Sequence, residues 1–154
     1  MIGKTVIGVD DLAENRMLLK TLLEANGYNF FGCEGGRDCL TLLQRVVPGL
    51  ILLDVQMPDM DGFETCRQLR RWPQFNDVPV AFLTASKTPQ DLRAGLDVGG
   101  NDFILKPFDT TKLLARVAHW CGRRAPPAWA PEPAGRSSSG GSFSRLGGKR
   151  PTDA

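Results

Sequence analysis

The sequence predicts an α/β fold in which five helices flank a five-stranded parallel sheet. Short apolar runs alternate with amphipathic segments along residues 4–121, as expected when a crossover helix follows each strand. Several of the runs are apolar throughout, which is typical of parallel strands covered on both faces. The predicted strands span residues 4–9, 28–33, 50–53, 79–83 and 103–105.

The intervening segments carry helical periodicity and recognisable ends. In the first helix, residues 14–26, we expect one apolar face that contains Met17, Leu18, Leu22 and Ala25. Gly27 supplies a stop after this helix. The remaining helices are predicted at residues 37–47, 63–71, 88–98 and 110–121.

The composition predicts one folded domain in a reducing compartment. The chain has 154 residues, 42% of them hydrophobic and 23% charged, which is ordinary for a globular domain. No apolar stretch approaches the ~18 residues of a membrane span, and the first residues resemble a strand more than a signal peptide, so we expect the cytoplasm and no membrane partner. The cysteines form no C-x-x-C pair and only one histidine accompanies them, which argues against zinc.

The last part of the chain differs from the rest. We predict a folded domain over residues 1–121 and a disordered tail over residues 122–154, because proline, glycine and serine make up 16 of those last 33 residues. The tail carries six basic and two acidic side chains, against 13 basic and 15 acidic ones in residues 1–121. This modest excess is weak evidence for nucleic-acid binding, which we do not expect.

Polar side chains follow the apolar runs at the points where the strands end. Asp10 and Asp11 follow TVIGV, Asp54 follows LILL, Thr84 follows VAFL and Lys106 follows FIL. Burying such polar or charged groups is costly unless they form hydrogen bonds or ion pairs or bind a ligand. Ligands of parallel α/β sheets bind outside the carboxyl ends of the strands. The sequence therefore predicts a site for a metal ion and a phosphoryl group at this edge.

The chemistry of these residue types fits a magnesium site (or a manganese site) beside a phosphoryl acceptor. Mg²⁺ prefers oxygen ligands, and we expect Asp11 and Asp54 to bind it directly, Asp10 through a water, and the backbone carbonyl of Gln56 as a further ligand. A carboxylate can also accept a phosphoryl group, and Asp54 is the predicted nucleophile. Lys106 and Thr84 would then neutralise and hold the phosphoryl oxygens.

Four motifs resemble those of the receiver domains of two-component response regulators: VDD at 9–11, LLDVQMPDMDG at 52–62, LTAS at 83–86 and FILKPF at 103–108. The resemblance covers residues 4–121. It implies the flavodoxin-like strand order 2-1-3-4-5. Because no output domain is evident after the receiver, we expect either a chemotaxis-regulator-like, single-domain type of protein or a receiver excised from a longer protein.

The resemblance also implies roles for the site residues. Asp54 would be the phosphoacceptor, supplied by a sensor histidine kinase, a phosphotransfer protein or a small phosphodonor. Thr84 and Lys106 would bind the phosphoryl group, and Phe103 would be the switch aromatic, here without the hydroxyl of a tyrosine. It further implies that the peptide bond before Pro107, the residue after the lysine, is often cis. It also implies that Gln56 and Ser86 tune the rate of dephosphorylation.

On phosphorylation, the resemblance implies remodelling of the face made by the fourth helix, fifth strand and fifth helix. That face would bind an unidentified downstream protein, relay the phosphoryl group or form a phosphorylation-dependent dimer. The chain would be no enzyme beyond gaining and losing its own phosphoryl group.

Two other interpretations remain open. A phosphate-independent pseudo-receiver would usually lack one of the five site residues, and none is missing here. A magnesium-dependent phosphatase of the haloacid dehalogenase type also uses an aspartate nucleophile, but it needs a second acid two residues later. Gln56 occupies that position, so the phosphatase fits poorly.

Overall fold

The computed structural model describes residues 4–86 and 88–122. The predicted disordered tail therefore lies outside the described residues, except for Gly122. The elements in chain order are β1 Thr5–Val9, α1 Ala13–Ala25, β2 Asn29–Cys33, α2 Gly36–Leu42, β3 Leu50–Asp54, α3 Gly62–Leu69, a 3-10 turn Pro73–Phe75, β4 Val80–Thr84, α4 Pro89–Asp97, β5 Asp102–Leu105 and α5 Thr110–Cys121.

The five strands form one parallel sheet with the order β2-β1-β3-β4-β5. The predicted fold class and the strand order implied by the resemblance are both confirmed. The chain moves outward from β1 to β2 and then returns past β1 to β3, so the strand order reverses between these neighbours. A parallel sheet binds its ligands at such a reversal, beyond the carboxyl ends of the strands.

Two apolar layers hold the helices against the sheet. On one side, Leu19 and Leu23 of α1 and Leu113 and Val117 of α5 are fully buried against strand residues that include Leu52. The other layer packs α2 and α3 on the opposite face of the same strands. The four apolar residues of β3 are buried, as their uninterrupted run predicts, and so is Asp54, which ends the strand.

The prediction of which residues of the first helix face the core is wrong. The residues of α1 that enter the core are Leu19 and Leu23, one turn apart. Met17 is 61% exposed and Leu18 is 49% exposed. The run MLL permits two registers of the helical period, and the sequence alone does not show which leucine faces the sheet. As a consequence, α1 presents apolar side chains to solvent.

The second helix is also shorter than predicted. Residues 37–47 were expected to be helical, but α2 ends at Leu42. Beyond it the amide of Gln44 donates to the carbonyl of Thr41, three residues back, at 3.2 Å. The two valines that follow disfavour a helix and precede a proline, which restricts the residue before it.

Among the described residues, no helix has the length and apolar character needed to cross a membrane.

Candidate functional site

The ends of the strands bring the predicted site residues to one edge of the sheet. Asp54 is the last residue of β3 and lies beside Leu83 of β4, and Thr84 lies beside Leu105 of β5. The amide of Asp10 continues the ladder after β1 by donating to the carbonyl of Cys33 at 3.0 Å. The polar residues at the ends of four strands therefore lie along one edge of the sheet, and the side chains of Asp10, Asp11, Asp54 and Lys106 meet there.

Three carboxylates form the acidic part of this site. One oxygen from each of Asp10, Asp11 and Asp54 lies within 4.8 Å of the other two. Asp10 is fully buried and Asp54 is 5% exposed, whereas Asp11 is exposed. Oxygen donors at this spacing suit a hard divalent cation, and burial makes their mutual repulsion expensive without one.

Lys106 bridges the two buried carboxylates. Its Nζ lies 3.1 Å from Asp10 Oδ2 and 3.1 Å from Asp54 Oδ1. Burial opposes the charge on this ammonium, but hydrogen bonds and charge attraction from Asp10 and Asp54 outweigh it and raise the pKa of Lys106. The lysine is therefore held as a cation between the two acids.

At Asp54, burial has a larger effect on the pKa than the contacts that stabilise the charge. Burial, together with the nearby charge of Asp10, raises the pKa of the Asp54 carboxyl, and the contacts with Lys106 and with the Gln56 amide only partly offset this effect. The amide of Gln56 lies 3.4 Å from Asp54 Oδ1. One carboxylate oxygen, Oδ1, therefore takes both the lysine and the amide contact.

The carboxylate of Asp10 is held on both of its oxygens. Oδ1 accepts the Leu12 amide at 3.0 Å, and Oδ2 accepts the side-chain amide of Asn15 at 3.0 Å in addition to Lys106. Arg16 donates to the carbonyl oxygen of Asp10 at 2.8 Å. The sequence analysis missed Asn15 and Arg16, because their only signal is their place in the first turn of the helix that follows the acidic pair.

A glycine allows the loop after β3 to fold back on Asp54. A β-carbon at Gly62, the first residue of α3, would overlap the carbonyl oxygen of Asp54. The amide of Gly62 donates to the carbonyl of Val55 at 2.8 Å, and Asp61 caps the helix by accepting the Glu64 amide at 2.8 Å. The MPDMDG loop thus closes tightly beside the carboxylate.

The hydroxyl of Thr84 is engaged with its own loop. It donates to the carbonyl oxygen of Ser86 at 3.1 Å and accepts the Ser86 amide at 3.0 Å. The hydroxyl of Ser86 in turn donates to Asp91 Oδ2 at 2.6 Å. Ser86 is therefore tied to the first turn of α4.

Phe103 lies on β5, three residues before Lys106, and is half-buried. Its ring packs on Phe82 with the ring centroids 5.5 Å apart, and a β-carbon at Gly95 of α4 would overlap it. The Lys106–Pro107 peptide bond is cis, as the resemblance implies. The aromatic ring thus links β5 directly to α4.

The donor set fits Mg²⁺ or Mn²⁺ rather than a softer metal. Three carboxylates supply oxygen ligands, and the four cysteines are free and buried elsewhere in the fold. Asp10, Asp11, Asp54 and Lys106 together carry a charge of −2, which one divalent cation balances. Because its oxygens are already held by other donors, Asp10 is less available as a direct ligand than Asp11 or Asp54.

A doubly wound parallel sheet that gathers three carboxylates and a lysine beyond the carboxyl ends of its strands defines a class of α/β domain that binds ligands at this edge. Residues 6–118 match the response regulator receiver domain, and the chain belongs to this family of two-component signalling proteins.

The chain is 37% identical over 117 residues to a protein of Porphyridium aerugineum described as "Probable transcriptional regulator ycf27", covering 76% of this chain and 48% of that protein. The chain thus spans about half the length of this curated relative. Among solved structures, it resembles the receiver domain of the sensor histidine kinase PA1611 from Pseudomonas aeruginosa, in which a magnesium ion is coordinated in the active-site cleft. The TM-score is 0.72 at 27% identity, covering 79% of this chain and 99% of that chain.

A second structural neighbour is the receiver domain of the response regulator Ssk1 of Saccharomyces cerevisiae, solved with the histidine phosphotransfer protein Ypd1. The TM-score is 0.72 at 25% identity, covering 77% of this chain and 88% of that chain.

Proposed function

We propose that the chain is a phosphorylation-dependent switch in which Asp54 accepts a phosphoryl group from a phosphohistidine of a kinase or phosphotransfer protein. The observation that carries this proposal is the bridge from Lys106 to both Asp10 and Asp54 at 3.1 Å. It fixes a cation beside a carboxylate at the edge where a parallel sheet binds its ligands. A structural ion pair alone would not need the third carboxylate, of Asp11.

In the proposed reaction a carboxylate oxygen of Asp54 attacks phosphorus. The new P–O bond gives an acyl phosphate, while the P–N bond to the donor histidine breaks and its electron pair stays on the imidazole nitrogen. Lys106 and the Gln56 amide both approach Oδ1, so we assign the attack to Oδ2. The ammonium of Lys106 neutralises charge on the phosphoryl oxygens in the transition state.

We assign the divalent cation, Mg²⁺ or Mn²⁺, to Asp11 and Asp54 as direct ligands, with Asp10 acting through a water and the Gln56 carbonyl completing the set. When bound, it neutralises charge on the phosphoryl oxygens. Support comes from the spacing of the three carboxylates and from the magnesium ion in the PA1611 receiver domain.

The donor protein is proposed to dock on α1. Three apolar side chains of residues 12–18 are exposed: Leu12, which precedes α1, is 51% exposed, and Met17 and Leu18 of α1 are 61% and 49% exposed. Exposed apolar side chains on one element are typical of protein contact surfaces, and the amide of Leu12 donates to Asp10 in the acidic cluster. The Ypd1–Ssk1 complex supports a phosphotransfer protein as one possible donor.

The output is proposed to pass through α4, β5 and α5. The ring of Phe103 connects β5 to α4 at Gly95, and Leu96 and Leu105 are 42% and 39% exposed on this face. Thr84 must leave the Ser86 carbonyl to reach a phosphoryl oxygen. We propose that this movement changes the face that a downstream protein, or a second copy, binds. Ser86 and Gln56 would set how fast water removes the phosphoryl group.

We retain residues 1–121 as the receiver domain and propose the cytoplasm as its location. The four free, buried cysteines are compatible with a reducing compartment.

Acetyl phosphate with Mg²⁺ tests the central proposal. Intact mass should increase by about 80 Da, one phosphoryl group, and hydroxylamine or the Asp54→Asn substitution should abolish the gain. Chelation of the metal should abolish it as well. A wild-type protein that binds Mg²⁺ but never gains mass would support the pseudo-receiver, and steady turnover of phosphate esters would support the phosphatase.

A further inference from the structure

Asn15 contacts the acidic cluster, although it is not one of the five site residues predicted from the sequence. It belongs to the first turn of α1, and its Nδ2 donates to Asp10 Oδ2 at 3.0 Å. The same oxygen accepts Lys106 Nζ at 3.1 Å. A neutral amide and a cation therefore share one oxygen of a fully buried carboxylate.

The neutrality of this donor matters for the charge of the site. A buried carboxylate needs donors, since an unpaired one is strongly destabilising. A second lysine or arginine at this place would satisfy Asp10 but would reduce the charge of the site from −2 to −1. The Asn15 amide supplies a hydrogen bond and leaves the full charge for a divalent cation.

The amide also matters when Lys106 changes partner. In the proposed function the ammonium neutralises a phosphoryl oxygen, which draws it away from Asp10. Asp10 Oδ1 keeps the Leu12 amide, and Oδ2 keeps only Asn15 among the side-chain donors found in the described residues. Asn15 is then the side chain that fixes the orientation of Asp10.

We propose that Asn15 is a positioning residue for divalent metal binding, acting by fixing the orientation of the Asp10 carboxylate, which takes part in metal binding through a water. This inference rests on the proposed function, because it concerns the same metal. Groups that orient metal ligands through hydrogen bonds typically contribute about 10- to 100-fold in metal affinity. A loss in this range is expected when the amide is removed.

The test compares substitutions of Asn15, in the first turn of α1, with a substitution of Asn26, the residue that caps the C-terminal end of the same helix. Asn15→Leu removes the amide with little change in volume, and Asn15→Ala removes it with a loss of volume. Asn26→Ala is the matched control, because Asn26 Nδ2 donates to the Leu22 carbonyl at 2.8 Å at the opposite end of the helix. Affinity for Mg²⁺ alone is measured by calorimetry and for Mn²⁺ alone by electron paramagnetic resonance, with thermal unfolding in chelator measured in parallel.

Both Asn15 variants should bind Mg²⁺ and Mn²⁺ about 10- to 100-fold more weakly, while Asn26→Ala binds them as the wild type does. Native-like affinity in a folded Asn15→Leu protein would overturn the inference. Equal weakening in Asn26→Ala would also overturn it, because the effect would then be general helix destabilisation. If the wild type itself bound neither metal, the proposed function would fail first, so the two failures are distinguishable.

Discussion

The Nζ of Lys106 lies 3.1 Å from Oδ1 of Asp54, although Asp54 ends β3 and Lys106 follows the end of β5. The side chain of Lys106 is 22% exposed and that of Asp54 is 7% exposed. A pair so weakly exposed is screened less by solvent and salt than a surface pair. Removing the ammonium of Lys106 should therefore slow the phosphorylation of Asp54 specifically.

Replacing Lys106 with methionine should slow phosphorylation by acetyl phosphate by about 100-fold, the usual effect of losing one charge-stabilising donor. Mass spectrometry over time measures the rate. The control is Lys20→Met, because Lys20 pairs with Glu24 at 2.9 Å on the surface of α1 and is 51% exposed. A rate in Lys106→Met equal to that of the control would show that the lysine plays no part in phosphoryl transfer.

Gly62→Ala should destabilise the fold, because the new β-carbon would overlap the carbonyl oxygen of Asp54. Backbone has to move to accommodate it, and overpacking typically costs about 1–3 kcal/mol. Gly35→Ala is the matched control, since a β-carbon there meets no atom within 4 Å and the backbone is extended, with φ −165°. Urea unfolding should show a change within about 0.5 kcal/mol for the control. Equal stability of the two variants would contradict the close approach of α3 to Asp54.

The sequence was most informative where residue type and position along a strand coincide. Asp10, Asp54, Thr84 and Lys106 could be assigned to one edge because parallel strands align their carboxyl ends, and the motifs around them identified the family. The order of the strands came from that resemblance and not from periodicity.

Contacts that depend on packing were not accessible in the same way. The run MLL left the buried face of α1 ambiguous. Packing of the helix against the sheet determines that Leu19 faces inward and that Met17 and Leu18 face solvent. Asn15 carries no signal in the sequence that distinguishes it from a surface asparagine. Its role requires the distance to Asp10, which is set by how α1 packs.

The buried thiols should react slowly at mildly alkaline pH. Burial raises the pKa of Cys33, Cys66 and Cys121 to about 11 from 9.0, and it raises the pKa of Cys39 further. At pH 8 a thiol whose pKa is about 11 and not 9.0 has about 100-fold less of the reactive thiolate. A disulfide-exchange reagent should therefore modify the native protein far more slowly than the unfolded one. Rapid native labelling of all four would contradict their burial.

The same shifts predict how stability depends on pH. The folded state favours the neutral thiols, so their contribution is complete below pH 9 and is lost as the pH rises toward 11. The free energy of unfolding should therefore decrease between pH 9 and pH 11. Urea unfolding at several pH values measures it, and Cys66→Ala should reduce the slope. A slope unchanged in that variant would assign the pH dependence to other groups.

The exposed apolar residues of α1 should affect phosphoryl transfer from a protein but not from a small molecule. Met17 and Leu18 contribute little to the core, because they are 61% and 49% exposed, so a Met17→Ser/Leu18→Ser double variant should fold normally. Loss of apolar contacts in an interface typically costs about 1 kcal/mol or more per important residue. Transfer from a phosphorylated histidine phosphotransfer protein that is active on the wild type should therefore fall at least about tenfold.

Acetyl phosphate makes no contact with this surface, so it should phosphorylate the double variant at the wild-type rate. Leu96→Ser is the matched control, because Leu96 is a similarly exposed apolar residue on α4, at 42%. That variant should retain rapid transfer from the protein donor. If both donors slowed equally in the double variant, α1 would influence the site itself and not the docking of the donor. If Leu96→Ser slowed the protein donor and the double variant did not, the donor would dock on α4.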